Sequence, residues 1–201
     1  MTKNYLALGD SYTIGEQVPL FESFPYQVIQ LLRKKYPEGN WQPPEIVAKT
    51  GWTTDELLQQ IHQTQLLTSY DIVSLLIGVN NQYRGRLVDN YREEYAVLLQ
   101  KAIEFAGSDV KKVVVLSIPD WGTMPFAEGR DRIQIAAAID QYNSACREIT
   151  EANGVCFIDI TISQRADAAD LTFVAADGLH PSGKEYEKWA DSLVRKAFLN
   201  F

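Results

Sequence analysis

The chain has 201 residues, of which 46% are hydrophobic and 22% are charged. This length and composition fit one globular domain, and we expect a single domain over residues 1–201. The formal net charge of −7 argues against non-specific nucleic-acid binding and against a polybasic membrane anchor, because both need an excess of lysine and arginine.

The sequence shows no pattern typical of an exported or membrane-spanning protein. The apolar stretch Tyr5–Leu8 is too short for the core of a signal peptide. No run reaches the roughly 18 apolar residues that a bilayer-spanning helix needs. We therefore expect a cytoplasmic protein without integral membrane association.

Short apolar runs alternate along the chain with longer helical patterns. The runs, which favour β-strands, are Tyr5–Leu8, Ile46–Ala48, Ile72–Ile77, Val113–Leu116 and Val155–Ile158. The helical patterns lie near residues 23–36, 53–63, 90–106, 131–152 and 182–198. Apolar strands between helices are typical of a parallel sheet covered on both faces. We predict an α/β fold with three layers (α/β/α) and a five-stranded parallel sheet in the flavodoxin-like order 2-1-3-4-5.

Ligands of such sheets bind at the carboxyl ends of the strands. The residues after the first three runs are Gly9-Asp10-Ser11, Lys49-Thr50-Gly51 and Gly78-Val79-Asn80-Asn81. The fourth run is followed by Ser117–Trp121, and the last helical pattern is preceded by Asp177–Pro181. Candidate functional residues are therefore sought in these five segments.

Four of the segments resemble the sequence blocks of SGNH (GDSL-type) hydrolases. Gly9-Asp10-Ser11-Tyr12 is similar to the Gly-Asp-Ser-Leu block, and Gly51 falls where the glycine of the second block is expected. Gly78–Asn81 is similar to the third block, Gly-x-Asn-Asp, and Asp177–His180 to the fifth, Asp-x-x-His. The blocks occur in family order over almost the whole chain. The resemblance implies a serine esterase with the SGNH-hydrolase fold.

The chemistry of ester cleavage gives an independent reason for three residues. A serine hydroxyl is a weak nucleophile until a general base accepts its proton. Histidine is the usual base, and the chain has only His62, inside a helical pattern, and His180. Asp177, three residues before His180, can hold the imidazole in the required tautomer. We therefore expect a catalytic triad of Ser11, His180 and Asp177.

Ester cleavage also passes through a tetrahedral oxyanion, which pre-placed hydrogen-bond donors stabilise. The resemblance implies three donors for this oxyanion hole: the backbone N–H groups of Ser11 and Gly51, and the side chain of Asn80. The chain departs from the family pattern at Asn81, where aspartate is usual, and at Tyr12, where leucine is usual. We expect the departure at Asn81 to affect the substrate more than the mechanism.

Aromatic and polar residues near these segments are expected to shape the substrate pocket. The predicted substrate-binding residues are Tyr12, Trp52, Asn81, Tyr83, Arg84 and Trp121, with Met124 and Phe126 following Trp121 in the same loop. Aromatic rings beside polar donors suit a sugar or a small acyl group. Arg84 and Arg86 could bind a carboxylate or phosphate, although for at least one of them we expect a solvated loop charge.

The main hypothesis is hydrolysis of a small-molecule carboxylic ester through an acyl-enzyme, with no metal and no cofactor. Carbohydrate O-deacetylation, lysophospholipid hydrolysis and thioester hydrolysis stay open within it. The lack of a long hydrophobic lid in the sequence favours a short acyl or acetyl group.

Two alternatives come from other functional classes. One is a catalytically silent binding module on the same fold. The other is a metal-dependent phosphoesterase that uses Asp10, Asn80, Asp177 and His180. EDTA separates this second alternative from the main hypothesis, because a serine esterase keeps its rate in the chelator.

Overall fold

The computed structural model describes residues 2–197 of the chain. The strands are β1 (Thr2–Lys3), β2 (Tyr5–Asp10), β3 (Asn40–Trp41), β4 (Glu45–Lys49), β5 (Ile72–Leu76), β6 (Val113–Leu116) and β7 (Cys156–Ile158). The α-helices are α1 (Ser11–Ile14), α2 (Phe24–Lys35), α3 (Thr54–Gln63), α4 (Val79–Tyr83), α5 (Val88–Phe105), α6 (Arg132–Ala152), α7 (Thr161–Asp167) and α8 (Gly183–Ala197). Short 3-10 helices lie at Leu20–Glu22, Val110–Lys112, Trp121–Thr123, Pro125–Ala127 and Leu171–Phe173.

One parallel sheet contains β4, β2, β5, β6 and β7 in that order. When these strands are numbered among themselves, the order is 2-1-3-4-5, so the predicted topology is confirmed. Every residue of β2 is buried. Gly9 in β2 lies opposite Ala48 in β4 and Leu76 in β5. The neighbouring strands β4, β2 and β5 therefore end at nearly the same height, at the carboxyl edge of the sheet.

Helices cover both faces of this sheet, as predicted. Helices α3, α5 and α6 pack beside one another on one face, and α2 packs against α8 on the other. Buried side chains of the strands and of both helical layers form one continuous apolar core. None of the helices within residues 2–197 is both long and apolar enough to cross a membrane. The expectation of one domain over residues 1–201 remains a prediction.

Several small elements were not predicted from the sequence. Strands β1 and β3 pair in parallel through only two residues each. Helix α1 begins directly after β2, and α4 begins after the neighbouring strand β5 with two residues between them. They therefore place residues 11 and 80 at the same edge of the sheet. The predicted end of the last helix, at residue 198, lies outside the described residues.

Helix α3 begins with a capping box formed by Thr53 and Glu56. The Glu56 carboxylate accepts a hydrogen bond from the Thr53 backbone N–H at 2.9 Å. This contact satisfies a backbone donor that the helix itself leaves without a partner. It fixes the start of α3 directly after the turn that contains Gly51.

Candidate active site

Ser11 opens the one-turn helix α1 at the end of β2. Asp10 caps this helix, and its Oδ1 accepts a hydrogen bond from the Tyr12 N–H at 3.0 Å. Gly9 has no room for a side chain, because a Cβ there would collide with the Thr13 side chain and with the backbone of β5. This tight turn from strand to helix holds Ser11 at the carboxyl edge, where it is only 4% exposed.

Asp177 accepts three hydrogen bonds, two from His180 and one from its neighbour Leu179. Asp177 Oδ2 lies 2.6 Å from His180 Nδ1. Its Oδ1 accepts from the backbone N–H groups of Leu179 and His180, at 2.9 and 3.0 Å. Partial burial works to raise the pKa of Asp177, but the hydrogen bonds from His180 and Leu179 outweigh it and hold the pKa below its usual value. An ionised Asp177 favours the tautomer with the proton on Nδ1, which leaves Nε2 as the acceptor.

The loop that carries these two residues is fixed at both ends. The Ala175 N–H donates to the His180 carbonyl at 2.8 Å, and the Phe126 N–H donates to the Gly178 carbonyl at 2.9 Å. The ring of Tyr12 packs on the His180 ring with their centroids 5.2 Å apart. These contacts come from three separate parts of the chain, so the imidazole has a defined position.

Ser11 and His180 line the same pocket, which has a volume of about 180 Å³. The lining residues are Ser11, Tyr12, Thr50, Gly51, Val79, Asn80, Tyr83, Trp121, Phe126, Leu179 and His180. The volume is small beside the roughly 300–1,000 Å³ of pockets that hold drug-sized ligands. The structure therefore brings the predicted nucleophile, base and oxyanion-hole residues together around one small cavity, with Asp177 behind His180.

Gly51 lies in the turn after β4, with a φ of +84°. This left-handed conformation strains residues that carry a side chain. A Cβ at Gly51 would come no closer than 3.7 Å to the Arg84 guanidinium. The requirement for glycine therefore comes from the backbone conformation and not from crowding.

Asn80 lies in the first turn of α4 and makes two side-chain contacts. Its Nδ2 donates to the Trp52 carbonyl at 3.0 Å and, over a longer 3.4 Å, to Asp10 Oδ2. The first contact ties Asn80 to the turn after β4. The second is near the limit of a hydrogen bond and is therefore the easier one to exchange for a ligand.

Asp10 is a completely buried carboxyl group beside this cavity. Burial raises its pKa from 3.8 to about 7, although hydrogen bonds from the Tyr12 backbone and the Asn80 side chain oppose the shift. Asp10 therefore differs from Asp177, which stays ionised at neutral pH. From the sequence, Asp10 was considered only as part of the serine block and as a ligand in the metal-dependent alternative.

The structure divides the predicted substrate-binding residues into two groups. Tyr12, Tyr83 and Trp121 line the pocket. Trp52 and Arg84 are not among the lining residues and support the site from behind. The Trp52 carbonyl holds Asn80, while Arg84 Nη2 donates to the Gly51 carbonyl at 2.5 Å. Arg86 pairs with Asp55 at 2.6 Å, consistent with a charge on a loop surface.

Asn81 corrects a prediction, because its side chain is completely buried and does not line the pocket. Its Oδ1 accepts from the Thr54 N–H at 3.1 Å, and its Nδ2 donates to the Thr54 hydroxyl at 2.6 Å. Both polar atoms are used to hold the start of α3. Asn81 therefore links α4 to α3 and leaves no group to contact a substrate.

Three lining residues were not singled out from the sequence. Thr50, Val79 and Leu179 each contribute to the pocket wall. Each directly precedes a residue of the recognised blocks, and this adjacency was the only available signal. Within residues 2–197, no three His, Cys, Asp or Glu side chains are grouped so that they could hold a metal ion.

Comparison with known families agrees with this fold and pocket. Residues 7–188 match the model of the GDSL-like lipase/acylhydrolase family. The chain belongs to this family, and it is a carboxylic ester hydrolase. The family resemblance given by the sequence blocks is thereby confirmed.

Individual relatives are distant but similar over their full length. The spore germination lipase of Bacillus licheniformis is 24% identical over 212 residues, which cover 96% of this chain and 95% of that protein. Among solved structures, an acetylxylan esterase from Geobacillus stearothermophilus gives a TM-score of 0.77 at 20% identity, covering 98% of this chain and 95% of that one. A lipase/acylhydrolase from Enterococcus faecalis gives 0.72 at 21% identity, covering 96% and 94%.

Proposed function

We propose that this protein hydrolyses short-chain carboxylic esters, with Ser11 as nucleophile, His180 as general base and Asp177 as the residue that orients His180. The observation that carries the proposal is the 2.6 Å contact between Asp177 Oδ2 and His180 Nδ1, beside a pocket that Ser11 and His180 both line. Because Nδ1 is committed to Asp177, Nε2 is the nitrogen that accepts the Ser11 proton.

The reaction proceeds in two halves. In the first, Ser11 Oγ attacks the ester carbonyl carbon while His180 takes the hydroxyl proton, and the protonated His180 then donates that proton to the departing alkoxide. In the second, His180 deprotonates a water molecule that attacks the acyl-serine. Collapse of the second tetrahedral intermediate returns the proton to Ser11 and releases the carboxylic acid.

The negative charge of each intermediate develops on the former carbonyl oxygen. We assign its stabilisation to the N–H groups of Ser11 and Gly51 and to Asn80 Nδ2. The geometry of Asn80 supports this assignment, since the Trp52 carbonyl fixes the amide at 3.0 Å while the contact to Asp10 is only 3.4 Å. An oxyanion can replace Asp10 as the acceptor without disturbing the bond that positions the amide.

The size and lining of the pocket support a short acyl group, such as acetyl. The cavity of about 180 Å³ is bounded by Val79, Leu179 and aromatic rings. A long fatty chain would have to extend out of this cavity over the protein surface. A sugar, a glycerophosphodiester or a thiol can serve as the leaving group, because in this arrangement the alcohol or thiol part of the substrate extends out of the pocket.

The relatives support the assignment of the triad. Catalytic mutants of the similar acetylxylan esterase have alanine in place of a serine, of an aspartate and of a histidine. In that enzyme the aspartate precedes the histidine by three positions, as Asp177 precedes His180 here.

Replacement of Ser11 by alanine tests the nucleophile. Turnover of 4-nitrophenyl acetate should fall by several orders of magnitude, because only oxyanion-hole and binding contributions are left, a residual of roughly 10³–10⁴ over water. The matched controls are Ser69→Ala and His62→Ala, which change an exposed serine and the other histidine. Ester turnover that persists in the purified, folded Ser11→Ala protein would refute the proposal, and so would loss of the activity in EDTA.

A panel of substrates tests the acyl preference. We expect kcat/KM to fall along the 4-nitrophenyl esters from C2 to C12, and acetylated sugars to be turned over faster than an acyl-CoA or a lysophospholipid. A maximum at C8 or longer would contradict the short-acyl assignment. If no ester is hydrolysed while a ligand still binds to the pocket, the alternative of a catalytically silent binding module gains support.

A further inference from the structure

A positive charge lies against the aromatic wall of the pocket, although Arg130 is not itself a lining residue. The rings of Tyr83, Trp121 and Phe126 line the pocket and pack on one another with centroids 5.2–6.4 Å apart. The Arg130 guanidinium lies over all three, with its Cζ 5.6, 5.5 and 5.8 Å from their respective centroids. The Trp121 Nε1–H donates to the side-chain oxygen Oε1 of Gln82 at 2.7 Å and holds this wall in place. Arg130 is therefore positioned by the pocket wall itself.

Arg130 has no acidic partner within residues 2–197. Its guanidinium makes one long hydrogen bond, from Nη2 to the Tyr83 hydroxyl at 3.4 Å. The acidic residues nearest in sequence, Glu128 and Asp131, form no ion pair with it, and Asp131 instead caps α6 through the Gln134 N–H at 2.9 Å. A guanidinium has five N–H donors, so most of those on Arg130 remain available to a ligand.

Arg84, the other arginine next to the pocket, differs on this point. Its guanidinium donates to the Gly51 carbonyl at 2.5 Å and pairs with Glu56 at 3.3 Å. Its charge is therefore partly compensated and its donors are engaged. The anion-binding role that the sequence suggested for Arg84 fits Arg130 better.

We propose that Arg130 forms an anion-binding subsite for the alcohol part of the substrate, which would carry a carboxylate or a phosphate group. The proposal rests on the function proposed above, in which the acyl group fills the pocket near Ser11 and the alcohol part extends to the rim. A guanidinium binds such oxyanions through two parallel N–H···O contacts. Stacking on three rings orders the side chain before binding, and less conformational entropy is then lost when the anion binds.

The test compares matched acetate esters that differ in charge. We would measure kcat/KM for phenyl acetate, for 4-acetoxybenzoate and for 4-acetoxyphenyl phosphate with the wild type and with Arg130→Gln. The ratio of variant to wild type for each ester cancels the intrinsic reactivity of that ester. The matched control is Arg132→Gln, because Arg132 is exposed, lies two residues away and donates to the backbone carbonyls of residues 123 and 124.

We expect Arg130→Gln to reduce kcat/KM for the anionic esters about 5- to 10-fold more than for phenyl acetate, mainly through KM. This is less than the usual effect of a charge-assisted hydrogen bond, because Arg130 is exposed and solvent screens its charge. The preference of the wild type for anionic esters over phenyl acetate should also weaken as the NaCl concentration is raised, because salt screens the charge of Arg130. The ratio measured for the variant should not change with salt. The carboxylate and phosphate arms show which anion is preferred.

Equal losses for neutral and anionic esters would mean that Arg130 only supports the aromatic wall, and the subsite would be refuted. The same conclusion would follow if Arg132→Gln gave the same change as Arg130→Gln. Failure of the proposed function has a different signature, since Ser11→Ala would then retain activity on all three esters. The two proposals can therefore fail independently.

Discussion

Two carboxyl groups beside the pocket differ in their exposure to solvent and in the hydrogen bonds that they accept. Asp177 is partly exposed, with 26% of its side-chain surface accessible, and accepts three hydrogen bonds from His180 and Leu179. Asp10 is fully buried and accepts one good hydrogen bond, from the Tyr12 N–H, and one long one from Asn80. The pKa of Asp177 is consequently lowered, whereas that of Asp10 is raised to about 7.

The difference shows that proximity to a catalytic site does not by itself determine the charge of a carboxyl group. Three donors compensate the cost of removing water from Asp177, and its negative charge can then stabilise a protonated His180. Asp10 accepts too few hydrogen bonds to compensate the desolvation cost of its complete burial. Asp177 is therefore suited to electrostatic support of the base, and Asp10 to holding the backbone and Asn80 in position.

The largest effect is expected when the charge of Asp177 is removed. Asp177→Asn should lower kcat by about 10⁴, because an amide N–H facing Nδ1 favours the wrong tautomer of His180. Asp170→Asn is the matched control, since Asp170 also accepts from a backbone N–H two residues ahead, at 2.9 Å, but lies outside the pocket. Steady-state kinetics on 4-nitrophenyl acetate give both values. An effect of tenfold or less would assign the orientation of His180 to another group.

Removal of the Asn80 side chain should have the next largest effect. Asn80→Ala is expected to lower kcat by about 10²–10³, the usual loss for one oxyanion donor. KM should change little, because the ground-state carbonyl is bound less strongly than the oxyanion. Asn90→Ala, at an exposed position of α5, serves as the control. Unchanged kcat with a large rise in KM would mean that Asn80 only binds the substrate.

Much of the fold could be predicted because its signals are local. The apolar runs that form β2, β4, β5, β6 and β7 were recognisable, since buried parallel strands are apolar throughout. The pair β1 and β3 was not, because two residues per strand give no periodicity. Helices α1 and α4 are also too short for an apolar stripe. Their formation depends on the strands before them and on side-chain contacts such as the cap at Asp10.

The candidate site follows the same division between local and distant contacts. The pairing of Asp177 with His180 spans three residues within one turn and was predicted from their spacing. The buried position of the Asn81 side chain depends on Thr54, which lies 27 residues earlier in the chain. Nothing in the sequence near Asn81 indicates that partner. On α4, consecutive side chains point in different directions, so Asn80 reaches the pocket while Asn81 is buried against α3. Tertiary contacts of this kind are what the sequence alone did not provide.

The smallest effect on catalysis, and the clearest effect of pH on stability, is expected at Asp10. Asp10→Asn keeps an oxygen for the Tyr12 N–H but places an amide opposite Asn80, where the original contact is only 3.4 Å. We therefore expect kcat to fall only a few-fold.

The pKa of Asp10 rises on folding from 3.8 to about 7, so its contribution to stability is complete below pH 3.8 and is lost as the pH rises to about 7. The asparagine variant has no such loss. Urea unfolding from pH 4 to pH 9 should show the variant gaining stability relative to the wild type by at most about 1.4 kcal/mol per pH unit, with no further change above pH 7. A difference that is constant with pH would show that Asp10 is already ionised in the folded protein, and the contrast between the two carboxyl groups would then be wrong.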